Sequence, residues 1–313
     1  MNLQYSPEQQ QLRESVERFV RDAYDFTRRR KTAAADPGYD EACWQQYAAF
    51  GWLAVPFSEE DGGIGGDAVD VGIVMEGVGR GLLLEPVLAN VVLAGGMLAR
   101  LGNAAQKARW LQPMMGGEVK LALAHAEPGS RYETTHCSTH ATRTATGWVV
   151  DGRKALVISG HVADAFVVVA RTSRDVDDAV GLSAFVVPAG ISGLGVQPYA
   201  THDGTRAADL SFDRVALDGE ALLGDEGGAA PVLALVLDEA IAAVANEAVG
   251  AMSALCEQTL AYLKTRQQFG RAIGTNQALQ HRMVDMTIAL DEARSIALYG
   301  ALMVREADTS KRQ

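Results

Sequence analysis

One long stretch of the sequence, Val232 to Arg266, contains no proline and few residues that interrupt a helix. As a continuous helix it would be roughly 50 Å long, at about 1.5 Å per residue. Alanine, leucine and valine occur nearly all round it, which is typical of a helix that is buried between neighbours. A chain with this helix therefore needs other elements to cover it.

A second long helix is predicted from about Asn276 to Ala307, after a turn that contains Gly270 and Gly274. Two long antiparallel helices cannot bury this much apolar surface by themselves. The residues that follow Ala307 show no obvious domain ending. We therefore expect this helical bundle to be truncated, with further helices in the native chain or another subunit covering the pair.

The periodicity changes twice along the chain and divides it into three segments. Residues 1–118 have helical spacing, and residues 229–313 return to it. Residues 119–228 consist of short apolar runs separated by glycine and polar clusters, which is typical of a compact β-domain. We expect an α+β chain with three domains at these bounds: an N-terminal α-helical domain, a central β-domain and a C-terminal helical bundle.

Three local patterns give specific predictions. Ser6 and Gln9 have the spacing of a capping box at the start of the first helix. Asp151-Gly152 lies between two apolar runs and predicts a hairpin turn. Residues 56–66 are rich in glycine, but no strand leads into them and the GxGxxG spacing is missing. A tight loop is therefore favoured over a phosphate-binding loop.

The composition excludes several classes of protein. Hydrophobic residues make up 48% and charged residues 21% of the chain, which excludes an intrinsically disordered protein. The net charge of −11 argues against general nucleic-acid binding, because that function needs a cationic face. The three cysteines (Cys43, Cys137 and Cys256) fit neither a disulfide framework nor a zinc site, so we expect no metal and a reducing, cytoplasmic location.

No membrane span is expected either. The most apolar stretch, Pro231 to Val249, still contains four polar or charged residues: Asp238, Glu239, Asn246 and Glu247. The amino terminus has no basic region followed by an apolar run, so no signal peptide is visible.

The turn between the two long helices places Arg266, Phe269 and Gln277 on a rigid corner. Arginine can bind a pyrophosphate through two parallel hydrogen bonds. Phenylalanine can cover a ring edge, and glutamine can hydrogen-bond a ribose or pyrophosphate oxygen. From spacing alone, a solvated arginine beside a core phenylalanine explains the pattern equally well, so both interpretations stay open.

Further motifs are spread along the chain: Gly51-Trp52-Leu53, the loop Glu60–Gly66, Trp110-Leu111-Gln112-Pro113, Ala126-Glu127-Pro128-Gly129-Ser130 and Leu222-Leu223-Gly224. Together with the turn that contains Arg266, Phe269 and Gln277, they make the whole sequence resemble the acyl-CoA dehydrogenase family. The runs 127–132 and 262–266 are also similar to small subunits of two-component members such as pimeloyl-CoA dehydrogenase.

The resemblance implies a helical domain, a small β-barrel and a four-helix bundle, assembled as a homo- or hetero-tetramer. It implies FAD-dependent α,β-dehydrogenation of an acyl-CoA thioester in fatty-acid, dicarboxylate or steroid side-chain breakdown, with an electron-transfer partner. Arg266, Phe269 and Gln277 are then expected to contact the ADP part of an FAD that a neighbouring subunit holds.

The sequence departs from the family pattern where the flavin and the substrate are expected. The threonine that precedes Glu-Pro in the family is Ala126 here, and Arg131-Tyr132 follow the expected substrate contact Ser130. His125 beside this loop either meets the flavin or substrate or has a structural role.

The strand expected to present a tryptophan and a threonine to the flavin reads Leu156-Val157-Ile158-Ser159-Gly160. The resemblance makes Ile158 and Ser159 flavin contacts. Leucine and isoleucine can pack on a ring but cannot donate a hydrogen bond to flavin N5, whereas backbone amides can.

In one branch of the family the catalytic base is a glutamate that is followed by an arginine. This sequence has Ala240 and Ile241 at those two positions, so the base is missing there. The other branch has its glutamate beyond Gln313, and we expect the base there. Glu239 and Glu247 are weaker candidates, for which a helix-capping or interface role is the alternative.

Asp238 matches a family aspartate near the substrate. Two hypotheses follow for the function of the chain. In the first it is an acyl-CoA dehydrogenase with its own FAD. In the second it is a non-catalytic partner that completes the FAD site of a catalytic sibling chain.

Overall fold

The structure, a computed structural model, describes residues 5–304 and residue 306. The chain forms two compact units. The helical unit consists of Met1–Arg30, Asp67–Leu83 and Ile241–Gln313, and the mixed unit consists of Lys31–Gly66 and Leu84–Ala240. Each unit is thus assembled from segments that are distant in sequence.

The elements follow the predicted order of helices, then strands, then two long helices. The helices are α1 (Pro7–Ala23), α2 (Phe26–Ala34), α3 (Glu41–Ala49), α4 (Ala68–Gly81), α5 (Gly96–Leu101), α6 (Ala104–Gln106), α7 (Gln112–Met115), α8 (Ala230–Thr265) and α9 (Gln277–Met303). The strands are β1 (Leu121–Ala124), β2 (His140–Arg143), β3 (Gly147–Ile158), β4 (Ala165–Arg171), β5 (Leu182–Pro188), β6 (Leu194–Ala200), β7 (Arg206–Asp218), β8 (Leu222–Leu223), β9 (Gln267–Gln268) and β10 (Arg271–Ala272).

Helix α1 begins with the predicted capping box. Gln9 N donates a hydrogen bond to Ser6 Oγ at 3.2 Å, and Ser6 N donates to Gln9 Oε1 at 3.1 Å. These two bonds satisfy backbone donors that no helical carbonyl can reach. Val16, Phe19 and Val20 form the buried face of the helix, at the spacing of successive turns.

In the helical unit, α4 and the C-terminal part of α8 approach each other so closely that their backbones touch. A Cβ atom at Gly79 would lie 1.7 Å from the Glu247 carbonyl oxygen. A Cβ atom at Gly250 would lie 1.9 Å from the Glu76 carbonyl oxygen. Only glycine fits at these two positions, and the pair fixes where the two helices cross.

Helices α8 and α9 share a small core of Val249, Cys256, Leu290 and Ala297. The two helices leave large apolar side chains exposed, as the amount of apolar surface in the sequence predicts: Ile241, Leu255, Tyr262, Val284, Ile288, Ile296 and Tyr299. The predicted end of the second helix, Ala307, lies outside the described residues. None of the described helices has the length and apolar character that crossing a membrane requires.

The mixed unit is built on an eight-stranded sheet with neighbours in the order β6-β7-β3-β2-β4-β5-β8, and β1 pairs in parallel with β4. Trp148, Phe166, Phe185 and Phe212 lie in its core. Strands β6 and β8 are the two ends of this order, and no pairing joins them within residues 5–304. A central β-domain is therefore present between helical regions, but the predicted small β-barrel is not confirmed.

The prediction of a hairpin turn at Asp151-Gly152 is wrong. Both residues lie inside the continuous strand β3, where the register with β7 shifts between Val150 and Gly152. Asp151 Oδ1 accepts a hydrogen bond from Arg214 N at 2.8 Å, so this carboxylate satisfies a backbone donor of the neighbouring strand. The extra residue at this point is on β7, where Asp213 and Arg214 are both opposite Asp151, so β3 continues through the Asp-Gly pair and only the partner strand shows this.

Residues 56–66 form the predicted tight loop. Gly63 N donates to the Ser58 carbonyl oxygen at 2.8 Å, and Gly65 N donates to the Phe57 carbonyl oxygen at 2.7 Å. The backbone donors at these glycines are thus used within the loop itself, which leaves them unavailable to a phosphate group.

Candidate functional site

The loop with the predicted flavin and substrate contacts follows β1 directly and runs beside β3. Ala155 N of β3 donates to the Ala126 carbonyl oxygen at 2.9 Å. Ser130 N donates to the Glu127 carbonyl oxygen at 3.2 Å, which closes a turn. Ala126 and Ser130 are both half-buried. The structure therefore places both predicted residues in one short loop that is attached to the strand carrying Ile158.

A buried ion pair fastens this loop to β3 from the inside. Lys154 Nζ lies 2.6 Å from Glu127 Oε1, and the two side chains are 0% and 1% exposed. Lys154 also donates to the His125 carbonyl oxygen at 3.1 Å. Glu127 accepts from Ser138 N at 2.8 Å, from Thr139 N at 2.9 Å and from the Ser138 hydroxyl group. The buried ion pair thus joins three segments of the chain: the loop after β1, residues 138–139 and strand β3.

These contacts determine the charge state of two groups in the site. Burial acts to raise the pKa of Glu127, but the charge of Lys154 and the hydrogen bonds from Lys154, Ser138 and Thr139 outweigh it and lower the pKa to about 2. Burial, reinforced by the charge of Lys154, lowers the pKa of His125 to about 4. Near neutral pH, Glu127 is therefore ionised and the imidazole of His125 is neutral.

The His125 side chain also has an unsatisfied polar atom. Its Nδ1 is buried and has no hydrogen-bond partner among the residues that the structure describes. Most buried polar atoms in native proteins have a partner, so such an atom marks a place where a ligand or an ordered water can bind. Both roles predicted for His125, a contact to the flavin or substrate and a structural role, therefore stay open.

The outer face of β3 presents two apolar side chains. Leu156 is 56% exposed and Ile158 is 38% exposed, whereas Val157 between them is 1% exposed and points into the core. Ser159, which follows, is half-buried and has a φ of 56°. Exposed leucine and isoleucine side chains at alternate positions form an apolar wall, and such a wall suits one face of a planar ring.

The turn between α8 and α9 contains a β-hairpin that is formed by strands β9 and β10 and closed by a two-residue loop. Phe269 and Gly270 form its tip with φ values of 53° and 78°. Phe269 is 101% exposed, so the interpretation as a core phenylalanine is wrong. Arg266 and Gln277 are exposed too, and Arg266 makes no ion pair within residues 5–304.

The acidic residues on α8 have structural contacts. Glu239 forms an ion pair with Arg100, whose Nη2 lies 2.6 Å from Glu239 Oε1. Glu247 is half-buried and lies where α8 crosses α4. Asp238 is half-buried near the start of the helix. The pair with Arg100 is a structural contact of Glu239, and the alternatives for Glu239 and Glu247 stay predictions.

The neighbouring positions lack the groups that this chemistry needs. Ala240, at the position expected for a glutamate, is 8% exposed, whereas Ile241 is 70% exposed. Neither side chain can transfer a proton. Among the described residues, no group of three or more histidine, cysteine, aspartate or glutamate side chains could hold a metal ion.

Comparison with known proteins identifies the family. Three sequence profiles match in chain order: the acyl-CoA dehydrogenase N-terminal domain over residues 6–118, its middle domain over residues 122–215 and its C-terminal domain over residues 228–313. The chain belongs to the acyl-CoA dehydrogenase family. A short-chain-specific acyl-CoA dehydrogenase of Clostridium acetobutylicum is 30% identical over 266 residues, which cover 82% of this chain and 69% of that protein.

Solved structures share the fold of this chain. The FAD complex of PigA superimposes with a TM-score of 0.88 at 25% identity, over 96% of this chain and 80% of PigA. The ChsE4-ChsE5 complex from Mycobacterium tuberculosis superimposes with a TM-score of 0.86 at 26% identity, over 98% of this chain and 80% of that chain.

The resemblance drawn from the motifs is thus confirmed, and with it the FAD cofactor and the assignment as an FAD-dependent oxidoreductase of the acyl-CoA dehydrogenase type. The comparisons favour this function over the alternative of a non-catalytic partner subunit. The roles of individual residues, including the base, stay predictions.

Two residues with contacts in the site belong to none of the motifs in the sequence: Lys154, which pairs with Glu127, and Asp209 of β7, whose Oδ1 accepts a hydrogen bond from Leu156 N at 3.1 Å. Lys154 lies an even number of positions after Trp148 and Val150, two core residues of the same strand. That spacing is the signal that its side chain points inward, where a lysine needs a carboxylate partner. Asp209 gives no comparable signal, because its role depends on the strand that lies opposite.

Proposed function

We propose that the chain introduces an α,β-double bond into an acyl-CoA thioester as a subunit of a homo- or hetero-tetramer in the cytoplasm. The substrate would come from fatty-acid, dicarboxylate or steroid side-chain breakdown, and an electron-transfer partner would reoxidise the cofactor. The observation that carries this proposal is the match of all three domains of one dehydrogenase family in order along the chain. We keep 1–118, 119–228 and 229–313 as its functional domains.

The proposed flavin site is the loop after β1 together with the outer face of β3. Bound FAD supplies the acceptor for the hydride that leaves the β-carbon of the substrate. Leu156 and Ile158 would pack against the flavin ring and exclude water from one of its faces. The N–H of Ala126 and the hydroxyl group of Ser159 would provide hydrogen bonds, because the side chains at 126 and 158 cannot and the backbone groups of Ser159 are bonded to Arg206 and Val162.

The remaining polar groups of this loop suit the ring edge and the substrate. The buried Nδ1 of His125 lacks a partner within the described residues and fits a polar atom of a bound ring. Ser130 carries a hydroxyl group at the position expected to contact the acyl-CoA. Asp238 is proposed as a second residue near the substrate.

Removal of the α-proton needs a carboxylate near the substrate. Glu239 is held by Arg100, and Ala240 has no ionisable group. We therefore propose, in line with one branch of the family, that the base is a glutamate beyond Gln313.

The hairpin turn is proposed as a second contact to the cofactor. Arg266, Phe269 and Gln277 would bind the ADP part of an FAD that is held mainly by a neighbouring subunit. The complete exposure of Phe269 supports this, since an aromatic ring in water gains contacts from any partner that covers it.

The first experiment counts FAD per chain in the purified protein by flavin absorbance and compares wild type with R266A. We expect bound FAD in the wild type and roughly tenfold weaker FAD binding in R266A, from the loss of a charge-assisted contact. The matched control is R282A, which removes an exposed arginine of α9 that lies 3.7 Å from Asp285. Equal FAD binding by R266A and R282A would contradict the role of the turn. A wild-type protein without FAD would contradict the proposed function.

The second experiment addresses the substrate. Reduction of the bound flavin is followed after addition of acyl-CoA thioesters that differ in chain length and bear either an aliphatic, a carboxylate or a steroid end. Bleaching of the flavin by one class would assign the substrate, and formation of the enoyl product would establish the reaction.

A further inference from the structure

Strand β3 contains a second irregularity, directly before the proposed flavin wall. Lys154 pairs with Leu210 of β7, and the next pair is Val157 with Ala208. Two residues of β3, Ala155 and Leu156, are therefore opposite the single residue 209 of β7. This two-for-one arrangement is a β-bulge, a feature that redirects side chains and is frequent next to active sites.

The bulge reverses which face of the sheet each later side chain reaches. Lys154 points inward. In a regular strand the alternation would then place Leu156 inward and Val157 outward. The observed exposure is the reverse, with Leu156 56% exposed and Val157 1% exposed. Leu156 and Ile158 form an outward wall only because of the extra residue.

Asp209 stabilises the solvent-exposed side of the bulge. Leu156 N, which is displaced from the regular ladder, donates to Asp209 Oδ1 at 3.1 Å. The hydroxyl group of Tyr199 donates to the same oxygen at 3.0 Å. Leu156 has a φ of 53°, in the left-handed region that a leucine rarely adopts. Asp209 thus satisfies the backbone donor of the most strained residue in the wall.

Lys154 holds the buried side. Its ammonium group bonds Glu127 and the His125 carbonyl oxygen, and Ala155 N bonds the Ala126 carbonyl oxygen. The first half of the bulge is therefore tied to the loop that follows β1. With Asp209 on one face and Lys154 on the other, the bulge is fixed relative to that loop.

We propose that Asp209 and Lys154 are positioning residues for the flavin, which hold the bulge of β3 so that Leu156 and Ile158 face the ring beside the Ala126 loop. This inference rests on the proposed function, because it takes the outer face of β3 as the flavin wall. Both residues act through the backbone of β3 and through Glu127, without a contact of their own to the cofactor.

The test compares three variants of the purified holoprotein: D209A, D209N and the control D213A. Asp209 is exposed, so D209A keeps the core intact. Asparagine retains the side-chain oxygen that accepts both hydrogen bonds. Asp213 is an exposed aspartate four residues further along β7, and its side chain makes no hydrogen bond or ion pair within residues 5–304.

Two readouts separate the bulge from the cofactor. Amide hydrogen exchange of residues 155–158 is measured in the absence of FAD, and FAD affinity and the flavin absorption spectrum are measured in its presence. We expect D209A to speed up exchange of these amides, to weaken FAD binding roughly tenfold and to shift the flavin spectrum. D209N should stay within about twofold of the wild type, and D213A should match it.

Unchanged exchange in D209A would overturn the proposal that Asp209 holds the bulge. If D209A shows faster exchange but unchanged FAD affinity and flavin spectrum, the positioning role is overturned. The proposed function is not affected in that case, because the wild type binds FAD. An effect of D209N as large as that of D209A, or an effect of D213A, would also overturn it. If the wild type binds no FAD, the proposed function fails and the positioning role fails with it, whereas the exchange data still report on the bulge.

Discussion

The wall of β3 and the hairpin turn after α8 are both predicted to contact FAD, the wall in its own chain and the turn in a neighbouring subunit, but they are built in different ways. The wall is fixed by contacts within its own unit: a buried ion pair on one face and the Asp209 carboxylate on the other. The turn has Phe269 fully exposed at its tip, and Arg266 has no ion pair within residues 5–304. The wall is thus pre-organised, whereas the turn presents groups for a partner to cover.

This difference has a physical basis. A surface that must hold a planar ring in one orientation needs rigid support, because small displacements of a reacting ring are costly for the reaction. A cationic turn that binds a diphosphate can tolerate more movement, because a charged group attracts an anion over several ångströms. We therefore expect substitutions at the wall to lower both stability and FAD affinity, and substitutions at the turn to lower FAD affinity without a loss of stability.

The largest expected effect comes from breaking the ion pair under the wall. K154M leaves the Glu127 carboxylate buried without its cation, and removal of one partner of a buried pair costs about 3–5 kcal/mol. The free energy of unfolding, measured by denaturant titration, should fall by that amount. In K154M/E127Q the buried charge is gone, and the amide oxygen of glutamine still accepts one of the two hydrogen bonds that the Glu127 oxygens accept from Ser138 N and Thr139 N, so part of the loss should be recovered.

Two results would contradict this account of the ion pair. One is a double variant that is no more stable than K154M. The other is an equal loss in the control K107M, which breaks the partly exposed pair of Lys107 and Asp61 at 2.9 Å. That pair is expected to contribute about 1 kcal/mol or less.

The second prediction concerns the pH dependence of the loop after β1, which Lys154 joins to the wall. The pKa of His125 is about 4 in the folded protein against an ordinary value of 6.5. The unfolded chain therefore binds a proton on His125 at a higher pH than the folded protein does, and stability falls as the pH is lowered from 6.5 towards 4. The contribution is at most about 1.4 kcal/mol for each pH unit.

H125L should remove this contribution, so its free energy of unfolding should depend less steeply on pH in that window. The control H202L replaces an exposed histidine and should leave the slope of the wild type unchanged. If H125L and the wild type lose stability in parallel between pH 6.5 and pH 4, the burial of a neutral His125 is contradicted.

The smallest effect is expected at the turn. Phe269 has a φ of 53°, and an ordinary side chain in the left-handed region costs roughly 1–2 kcal/mol, whereas asparagine adopts it more easily. F269N should therefore raise the free energy of unfolding by about 1 kcal/mol or less while it lowers FAD affinity. A loss of stability in F269N, as in K154M, would show that the turn is supported like the wall and would remove the contrast between them.

Much of the architecture could be predicted from local pattern. The capping box at Ser6, the tight loop at residues 56–66 and the two long helices all follow from residue spacing, and the structure confirms them. The turn with Arg266, Phe269 and Gln277 is specific enough to indicate the family. These features depend on residues that are close together in sequence, so the sequence records them directly.

The failures have a common cause. Asp151-Gly152 predicts a turn from its local pattern, but it lies inside β3 opposite a bulge of β7. The spacing around Phe269 does not decide whether its side chain is buried or exposed, because burial depends on what packs against the turn. The ion pair of Lys154 could not be predicted, because its partner, Glu127, lies on a different segment. In each case the deciding residue is remote in sequence.

The sequence alone established the order of the helices and strands, the family and the cofactor, since these are recorded in local periodicity and in short motifs. The tertiary structure alone decided that a lysine and a glutamate meet in the core, that a bulge turns Leu156 and Ile158 outward, and that Phe269 is exposed. The physical reason is that burial and strand register depend on which distant segments pack together. No spacing within a single segment records that pairing.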